Sequence, residues 1–363
     1  MSEPLRIAMV MPPTVIGDPK AAVATWTTLT RTIAEVHEVG DVSFHVFGRQ
    51  HSGASTWTAG PDRYTFTATD RRLGKELALA RPDVVHVHGL THARQWRSVG
   101  AFVPRQVPVV MQHHGEPVPG LRARVVHRLG RPLDAYLFTG ADHGQAQPFI
   151  DARMIRRRAR LFEVLEAGSL LPEVTDALIP SIALEGSPAI LWVGRLIASK
   201  QPLVALEAFR RYAASHPTAH LHVLATDRTM EAEVVAEVAT LGPAAARVHV
   251  HDPVPHAQMS AWYRGADVYF STSLHEGSNY SLIEAMTSGC APAVSDIPSH
   301  RAITGAQISP FEADDPQAAA LAIERAAALR RDDVRDDALQ RLSWTAVATR
   351  LLQVWKCLRT QGV

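Results

Sequence analysis

Residues 266–300 read ADVYFSTSLHEGSNYSLIEAMTSGCAPAVSDIPSH, a pattern of strand, loop, helix and strand. An apolar run at 266–272 leads into a loop with Glu276, and a helix-like segment with Glu284 follows, ended by Gly289. In a parallel sheet, such a loop and the following helix lie at the carboxyl edge, where ligands bind. The two acids, one in the loop and one about a turn into the helix, can therefore face one crevice.

This pair of carboxylates suits a ligand that is rich in hydroxyl groups. A sugar nucleotide fits the pattern, because its phosphates would meet the positive N-terminus of the helix while the acids bind its hydroxyls. Ser278 and Asn279 stand just before the helix, and either could instead cap it, as short polar side chains do at helix N-termini.

Short β-branched runs alternate with helix-like segments along the whole chain. Most of these runs are apolar throughout, which indicates strands buried on both faces of a parallel sheet and hence an α/β fold with doubly wound sheets. The predicted strands are Leu5–Met11, Val42–Phe47, Val84–His88, Val109–His113, Ala135–Thr139, Phe162–Glu166, Ile190–Val193, His220–Ala225, Val248–His251, Val268–Ser271, Ala293–Ser295 and Gln307–Ser309.

Two sets of strands are more than one compact domain holds, so the chain is predicted to form two domains. The linker is expected near Leu171–Pro188, a non-periodic stretch with several prolines. We therefore assign residues 1–175 to an N-terminal domain and residues 176–342 to a C-terminal domain. The closing segment, residues 343–363, is expected to be a helix that returns to the first domain.

Composition and charge exclude several classes of protein. The net charge of +1 provides no strong field for nucleic acid, although the first half is modestly basic and leaves weak peripheral membrane contact open. The basic run Arg153–Arg160 is interpreted as a solvated surface. Two cysteines, with no recognisable signal peptide and no spanning apolar run, predict a soluble protein of the reducing cytoplasm.

A second informative segment, AILWVGRLIASKQPLVALEAF, begins at Ala189. Its strand ends at Gly194, and Arg195 and Lys200 lie in the loop before the next helix. Glycine allows a ligand to approach the backbone closely, and the two cations are placed to neutralise a diphosphate. Basic loop residues alone are a weak signal, but together with the acidic pair downstream they form a strong one.

These two segments, with VPHAQMSAWYRGADVYFSTSLHEGSNYSLIEAM at 254–286, resemble the C-terminal domain of retaining glycosyltransferases of family 4. Glu276 and Glu284 match that family's Glu-x7-Glu motif, and LSWTAVATRLLQVWKCL at 342–358 is similar to its closing helix. The resemblance implies a GT-B fold, in which two Rossmann-like doubly wound domains face a central cleft. It also implies that the first domain binds the acceptor and the second the nucleotide sugar.

The resemblance implies roles for matching residues. Arg195 and Lys200, beside Gly194, would hold the donor diphosphate and stabilise it as a leaving group. Glu284 would bind the ribose hydroxyls and Glu276 the transferred sugar. The backbone of residues 277–280 would lie near the sugar and phosphates; these are Gly277, Ser278, Asn279 and Tyr280. No cofactor and no metal are expected, because fixed cations and a helix N-terminus would neutralise the charge of the diphosphate.

In the first half, PVVMQHHGE resembles the strand that leads to the family's active-site histidine. Counting from Pro108 places this histidine at His114, with His113 one position away. The family's usual glycine pair after the first strand is missing, since Gly17 stands alone. Thr226–Asp227–Arg228 also replaces a glycine-rich turn, so the donor could sit differently or carry an unusual base.

Three pairs of histidines have i, i+2 spacing, namely His86/His88, His220/His222 and His249/His251. Such a pair points to one face of a strand, as a metal site requires. No third ligand follows at convincing spacing, so packed or surface histidines are the better interpretation. His88, at a strand end, could contact an acceptor.

The sequence thus predicts a retaining glycosyltransferase of the hexosyltransferase type that uses a nucleotide-diphosphate sugar. A UDP-sugar is the expected donor, because members of the family use it most often. The acceptor could be a small molecule, a glycan or a lipid-linked compound. Two alternatives stay open: a non-catalytic GT-B relative that binds a nucleotide sugar or a partner enzyme, and a GT-B enzyme of another type, such as a sugar-nucleotide epimerase or a phosphorylase.

Overall fold

A computed structural model of the chain describes residues 3–171 and 182–361. The chain divides into two compact units, Met1–Ala167 with Trp344–Val363, and Gly168–Ser343. The predicted boundary between residues 175 and 176, and much of the predicted linker, lie outside the described residues. No described helix combines the length and the hydrophobicity that a membrane-spanning segment requires.

The first unit is built around one large sheet. Its strands lie in the order β3-β4-β2-β1-β5-β6-β7-β8, and neighbours are parallel except for the antiparallel β3–β4 hairpin. The elements are β1 (Leu5–Val15), α1 (Pro19–Ala24), α2 (Thr27–Val39), β2 (Val42–Gln50), β3 (Ala54–Ala59), β4 (Asp62–Thr67), α3 (Asp70–Leu79), β5 (Val84–His88), α4 (Ala93–Gly100), β6 (Val109–Gln112), α5 (Leu121–Leu129), β7 (Ala135–Phe138), α6 (Gln147–Asp151), β8 (Arg160–Glu163) and α14 (Trp344–Gln361).

Alternate residues of β1 lie in two different hydrophobic cores. Ile7 and Met9 belong to one core, while Ala8 and Val10 belong to the other. Because side chains alternate across a strand, both faces of this sheet are covered by apolar side chains, as the uninterrupted apolar runs predict. The first core also contains Trp355 of α14, so the closing helix packs within the first unit.

The second unit contains a smaller, fully parallel sheet with the strand order β11-β10-β9-β12-β13. Short 3₁₀ turns occur at Ala198–Lys200, Gly242–Arg247 and His256–Gln258. The elements are β9 (Ala189–Gly194), α7 (Pro202–Ala213), β10 (His220–Ala225), α8 (Glu231–Thr240), β11 (Val248–His251), α9 (Met259–Gly265), β12 (Val268–Ser271), α10 (Tyr280–Thr287), β13 (Ala291–Val294), α11 (Pro298–Thr304), α12 (Pro316–Ala327) and α13 (Arg331–Leu342).

The predicted strands agree with most of the observed ones, and two kinds of error remain. Gln307–Ser309 is a turn rather than a strand, and the backbone pairing nearby is a single bridge between Ser295 and Phe311. The β3–β4 hairpin has no counterpart among the predictions. Most residues of β3 are exposed, so this strand lacks the apolar run on which the predictions relied.

Candidate functional site

The predicted phosphate-binding loop and the predicted acidic loop follow two adjacent strands of the second sheet. Strand β9 ends at Gly194 and its neighbour β12 ends at Ser271. Two hydrogen bonds join the loops after them: the Leu274 N–H donates to Ser199 O (2.9 Å), and Thr272 Oγ1 donates to Lys200 O (2.8 Å). The sheet topology therefore brings both loops to one place at its carboxyl edge.

Lys200 and Glu276 form an ion pair at this edge, between Lys200 Nζ and Glu276 Oε1. Their side chains are only 15% and 13% exposed, so water screens this pair little. Ser273 Oγ donates a second hydrogen bond to Glu276 Oε1 (2.7 Å). Lys200, which is predicted to bind the diphosphate, and Glu276, which is predicted to bind the sugar, are thus in direct contact. Their spacing in the sequence does not indicate this contact.

Glu284 lies in the second turn of α10 and is almost fully buried, at 3% exposed. His256 Nε2 donates to its Oε1 (2.7 Å) and the Tyr263 hydroxyl donates to its Oε2 (3.2 Å). Burial raises the pKa of Glu284, and the hydrogen bonds from His256 and Tyr263 partly oppose this rise. His256 is half exposed and can be displaced from the carboxylate, whereas Tyr263 is buried.

Asn279 is the N-cap of α10, in agreement with the interpretation that Ser278 or Asn279 caps this helix. The Leu282 N–H donates to its Oδ1 (3.2 Å), and so does the Tyr269 hydroxyl (3.2 Å). Its amide nitrogen contacts His300 Nε2 at 2.8 Å. The φ of Asn279 is +27°, a region that asparagine tolerates better than most residues. Gly277, Ser278 and Tyr280 flank it, and Ser278 is buried.

Replacing Asn279 by alanine should lower the free energy of unfolding by about 1–2 kcal/mol, because the helix loses its cap and alanine tolerates the positive φ poorly. Asp315→Ala is the matched control: Asp315 caps α12 by accepting the N–H groups of Gln317 and Ala318. Urea denaturation should show the smaller loss for Asp315→Ala, since that cap has neither the Tyr269 nor the His300 contact. Equal stability of Asn279→Ala and the unmodified protein would contradict this account.

Arg195 directly follows Gly194 and is exposed. Hydrogen bonds from Thr229 lower the pKa of Asp227, and the positive charge of Arg195 lowers it further. The Leu196 N–H also donates to Asp227 O (2.7 Å), so the loop after β10 packs against the loop with Arg195. Asp227 belongs to the segment that replaces the expected glycine-rich turn.

His114 belongs to a separate polar cluster in the first unit. His88 Nδ1 and His114 Nε2 are 3.0 Å apart, and His114 Nδ1 lies 3.0 Å from Glu166 Oε2. Burial lowers the pKa of His114, but the hydrogen bond and charge of Glu166, together with Glu116, outweigh it and raise the pKa above its ordinary value. The backbone N–H of His114 also donates to Glu116 Oε2 (2.7 Å).

His113, the alternative to His114, points into the core. It is 1% exposed and packs against the rings of Phe138 and Phe149. Burial lowers its pKa. His113 Nε2 contacts the Glu116 backbone carbonyl at 3.0 Å, whereas the more exposed His114 contacts the side chains of His88 and Glu166.

Several residues around these groups were not singled out in the sequence. They are Ser273, His256, Tyr263, Glu116 and Glu166, all of which contact a predicted site residue. His256 and Tyr263 stand in the segment at 254–286 that carries the family resemblance, and their position there is the one signal that could have indicated them.

Comparisons with known proteins give one family match in the second unit and structural likenesses over nearly the whole chain. Residues 187–328 match the model of the family described as Glycosyl transferases group 1. This segment contains Arg195, Lys200, Glu276 and Glu284. No curated protein sequence matches the chain.

Solved structures resemble nearly the whole chain at low sequence identity. An alpha,alpha-trehalose-phosphate synthase (UDP-forming) from Burkholderia vietnamiensis has a TM-score of 0.65 and 14% identity, with 99% of this chain and 100% of that chain covered. The sucrose-phosphate synthase from Thermosynechococcus elongatus has a TM-score of 0.65 and 17% identity, covering 98% and 99%. A structure from E. coli, described as trehalose-6-phosphate bound with UDP-2-fluoro glucose, has a TM-score of 0.66 and 12% identity, covering 97% and 99%.

These likenesses confirm the predicted fold class, an α/β fold of the GT-B type with two Rossmann-like domains that contain parallel sheets. The match to the group 1 glycosyl transferases covers most of the second unit, including the predicted donor-binding residues.

Proposed function

We propose that this protein is a retaining glycosyltransferase of family 4, of the hexosyltransferase type, that transfers a sugar from a nucleotide-diphosphate sugar to a hydroxyl acceptor. The observation that carries the proposal is the arrangement at the carboxyl edge of the second sheet. There the Lys200–Glu276 ion pair stands beside the N-terminus of α10, whose second turn contains the buried Glu284. All three lie within the segment that matches the group 1 glycosyl transferases.

Glu284 is proposed to bind the ribose of the donor. Its Oε2 is held by the buried Tyr263, while its Oε1 is held by the half-exposed His256. Movement of His256 would free Oε1 to accept hydrogen bonds from two vicinal hydroxyls. A carboxylate oxygen can accept more than one hydrogen bond, so the Tyr263 contact need not break.

Lys200 and Arg195 are proposed to neutralise the diphosphate, and Glu276 to bind the transferred sugar. Lys200 and Glu276 neutralise each other in a poorly hydrated place. A bound donor would provide an anion for the lysine and hydroxyl groups for the glutamate, so both charges would stay paired. Because the lysine faces the phosphate that leaves, its attraction grows as the bond to the sugar breaks.

The remaining assignments complete the proposal. His114 is proposed as the counterpart of the family's active-site histidine, in accordance with the family resemblance, and no residue is assigned as a nucleophile. The protein is proposed to act in the cytoplasm without a metal cofactor. UDP-glucose is the first donor to test, since the Burkholderia relative is named as UDP-forming. Sugar phosphates are the first acceptors to test, since two relatives are named as synthases of phosphorylated sugars.

Glu284→Ala should weaken nucleotide binding by about 1.5–3 kcal/mol, the usual contribution of hydrogen bonds to a charged group, or roughly 10- to 150-fold. Isothermal titration calorimetry with UDP, GDP and ADP, in the presence of EDTA, measures this and identifies the base. Glu324→Ala, which changes an exposed glutamate on α12 of the same unit, is the matched control and should bind like the unmodified protein.

Each outcome of this titration is informative. Binding of one nucleotide that is lost in Glu284→Ala, but kept in Glu324→Ala, supports the donor site and justifies a screen of sugars and acceptors. Binding without transfer to any acceptor would favour the non-catalytic GT-B relative. Folded protein that binds none of the three nucleotides would contradict the proposed function.

A further inference from the structure

Four histidines form a stacked row on one face of the second sheet. His220 and His222 come from β10, and His249 and His251 come from the neighbouring edge strand β11. His220 Nδ1 lies 2.9 Å from His249 Nε2, and His222 Nδ1 lies 3.0 Å from His251 Nε2. The rings of His220 and His249 are stacked at 5.2 Å, and those of His222 and His249 at 4.8 Å.

Glu185, in the loop before β9, brings a carboxylate to this row. Its Oε2 lies 3.7 Å from His220 Nδ1 and 3.9 Å from His249 Nε2. Its backbone carbonyl contacts His222 Nε2 at 2.8 Å, which fixes the loop against β10. The third ligand that the sequence spacing did not offer is therefore supplied by a segment distant in the chain.

The three ligand atoms lie close enough together for one metal ion to reach them all. A triangle with sides of 2.9, 3.7 and 3.9 Å has its centre about 2.1 Å from each corner, and the bonds of Zn²⁺ to histidine nitrogen and carboxylate oxygen are about 2.0–2.2 Å. An ion at that centre would reach all three atoms without movement of the backbone.

Metal binding would change the hydrogen bonding of the two rings. Neutral imidazole, with one ring nitrogen free of hydrogen, is the form that binds metal ions. A hydrogen bond between His220 Nδ1 and His249 Nε2 requires a hydrogen on one of these two nitrogens. A metal ion would replace this proton, and each ring would then carry its hydrogen on the other nitrogen.

We propose that Glu185, His220 and His249 form a binding site for a divalent transition-metal ion of the Zn²⁺ class, with water in the remaining coordination position. Glu185 is 73% exposed, so the site is open to the ion and to water. His222 holds the Glu185 loop in place and acts as a positioning residue.

The site is separate from the proposed donor site. His220 is the first residue of β10, whereas Gly194 and the loops with Lys200 and Glu276 lie at the carboxyl ends of the strands in the same sheet. A metal ion here would join the edge strand β11 to β10 and to the loop with Glu185, so its role would be to stabilise this edge. The proposal does not depend on the proposed function.

The test uses the full chain without an affinity tag, freed of metal with EDTA and dialysed. Calorimetric titration with ZnCl₂ near neutral pH should give one ion per chain, and CoCl₂ should give visible absorption bands of nitrogen- and oxygen-bound Co²⁺. MgCl₂, which prefers oxygen ligands, should give no comparable binding. Zn²⁺ should also raise the melting temperature, because the ion binds the folded chain.

Variants identify the ligands. His249→Asn and Glu185→Gln should each weaken Zn²⁺ binding more than about 100-fold, because even the loss of an outer partner of a metal ligand costs about 10- to 100-fold. His51→Asn, which changes an exposed histidine in the first unit, should bind Zn²⁺ unchanged. The proposal is overturned if the unmodified protein binds no Zn²⁺ up to about 100 µM, or if His249→Asn and Glu185→Gln bind it normally.

Discussion

Replacing Lys200 by alanine should lower kcat for sugar transfer by about 100- to 1,000-fold, with a much smaller change in nucleotide affinity. The proposed leaving group gains negative charge as its bond to the sugar breaks, so a fixed cation beside it stabilises the transition state more than the ground state. Lys200 is held in a poorly hydrated place by Glu276 and by the loop contact to Thr272, which prepares it for that role. Initial rates at saturating donor measure the effect.

The change also leaves Glu276 without its counter-ion, and two further variants separate this cost from catalysis. In the double variant Lys200→Ala, Glu276→Gln no unpaired buried charge remains, so its stability should return towards that of the unmodified protein while kcat stays low. Lys75→Ala removes an exposed lysine on α3 and should transfer sugar normally. If Lys200→Ala folds and transfers sugar at the unmodified rate, the assignment of the diphosphate site is wrong.

Local patterns predict most strands of both sheets, because a strand buried on two faces requires a mostly apolar run. Val268–Ser271 is buried at all four positions and is a strand with the predicted bounds. His220–Ala225 and Val248–His251, in which histidines alternate with apolar residues, also have the predicted bounds. Strand β3 is not predicted, because most of its residues are exposed and an exposed strand does not require an apolar run. The turn at Gln307–Ser309 shows the converse error, since a short polar-apolar run does not oblige the chain to form a strand.

The contacts within the candidate site could not be predicted, because they join segments that are distant in sequence. Lys200 and Glu276 are 76 positions apart, and the sequence pattern assigns each to a different part of the donor. His114 and Glu166 are 52 positions apart, and Glu166 belonged to a predicted strand that in fact ends at Glu163. Such pairs depend on loop conformation at the sheet edge, which a pattern of residue types does not specify.

The protein should lose stability as the pH falls from about 6.5 to about 5, because it buries neutral histidines in both units. His86 and His300 are 0% exposed, and burial lowers their pKa to about 3 and about 4. Between these values and 6.5, the unfolded chain binds protons that the folded chain does not, so the free energy of unfolding decreases as the pH falls. At about pH 5, each of these two histidines should lower the free energy of unfolding by about 2 kcal/mol relative to neutral pH.

Three other groups act in the opposite direction and limit the effect. The pKa values of His114, Glu163 and Glu284 are raised in the folded protein, so their protonation favours the folded state as the pH falls. They are outnumbered, because burial also lowers the pKa of His45, His127 and His222 to about 4. Urea denaturation at about pH 7.5, 6.5 and 5 should therefore show a falling midpoint, and a constant midpoint would contradict the prediction.

His86 allows the sharpest test, because it is fully buried and neither ring nitrogen has a partner in good hydrogen-bonding geometry among the described residues. The nearby side chain of Gln112 opposes the fall of its pKa only in part. Its ring packs against His88 and Trp355, so a leucine of similar size can fill most of the space. His86→Leu removes two unpaired buried polar atoms and one group that must be charged at low pH. Between neutral pH and pH 5, the free energy of unfolding of His86→Leu should fall by about 2 kcal/mol less than that of the unmodified protein. The control His51→Asn, which changes an exposed histidine, should lose as much as the unmodified protein. An equal loss in both variants would mean that protonation of His86 does not drive the acid sensitivity.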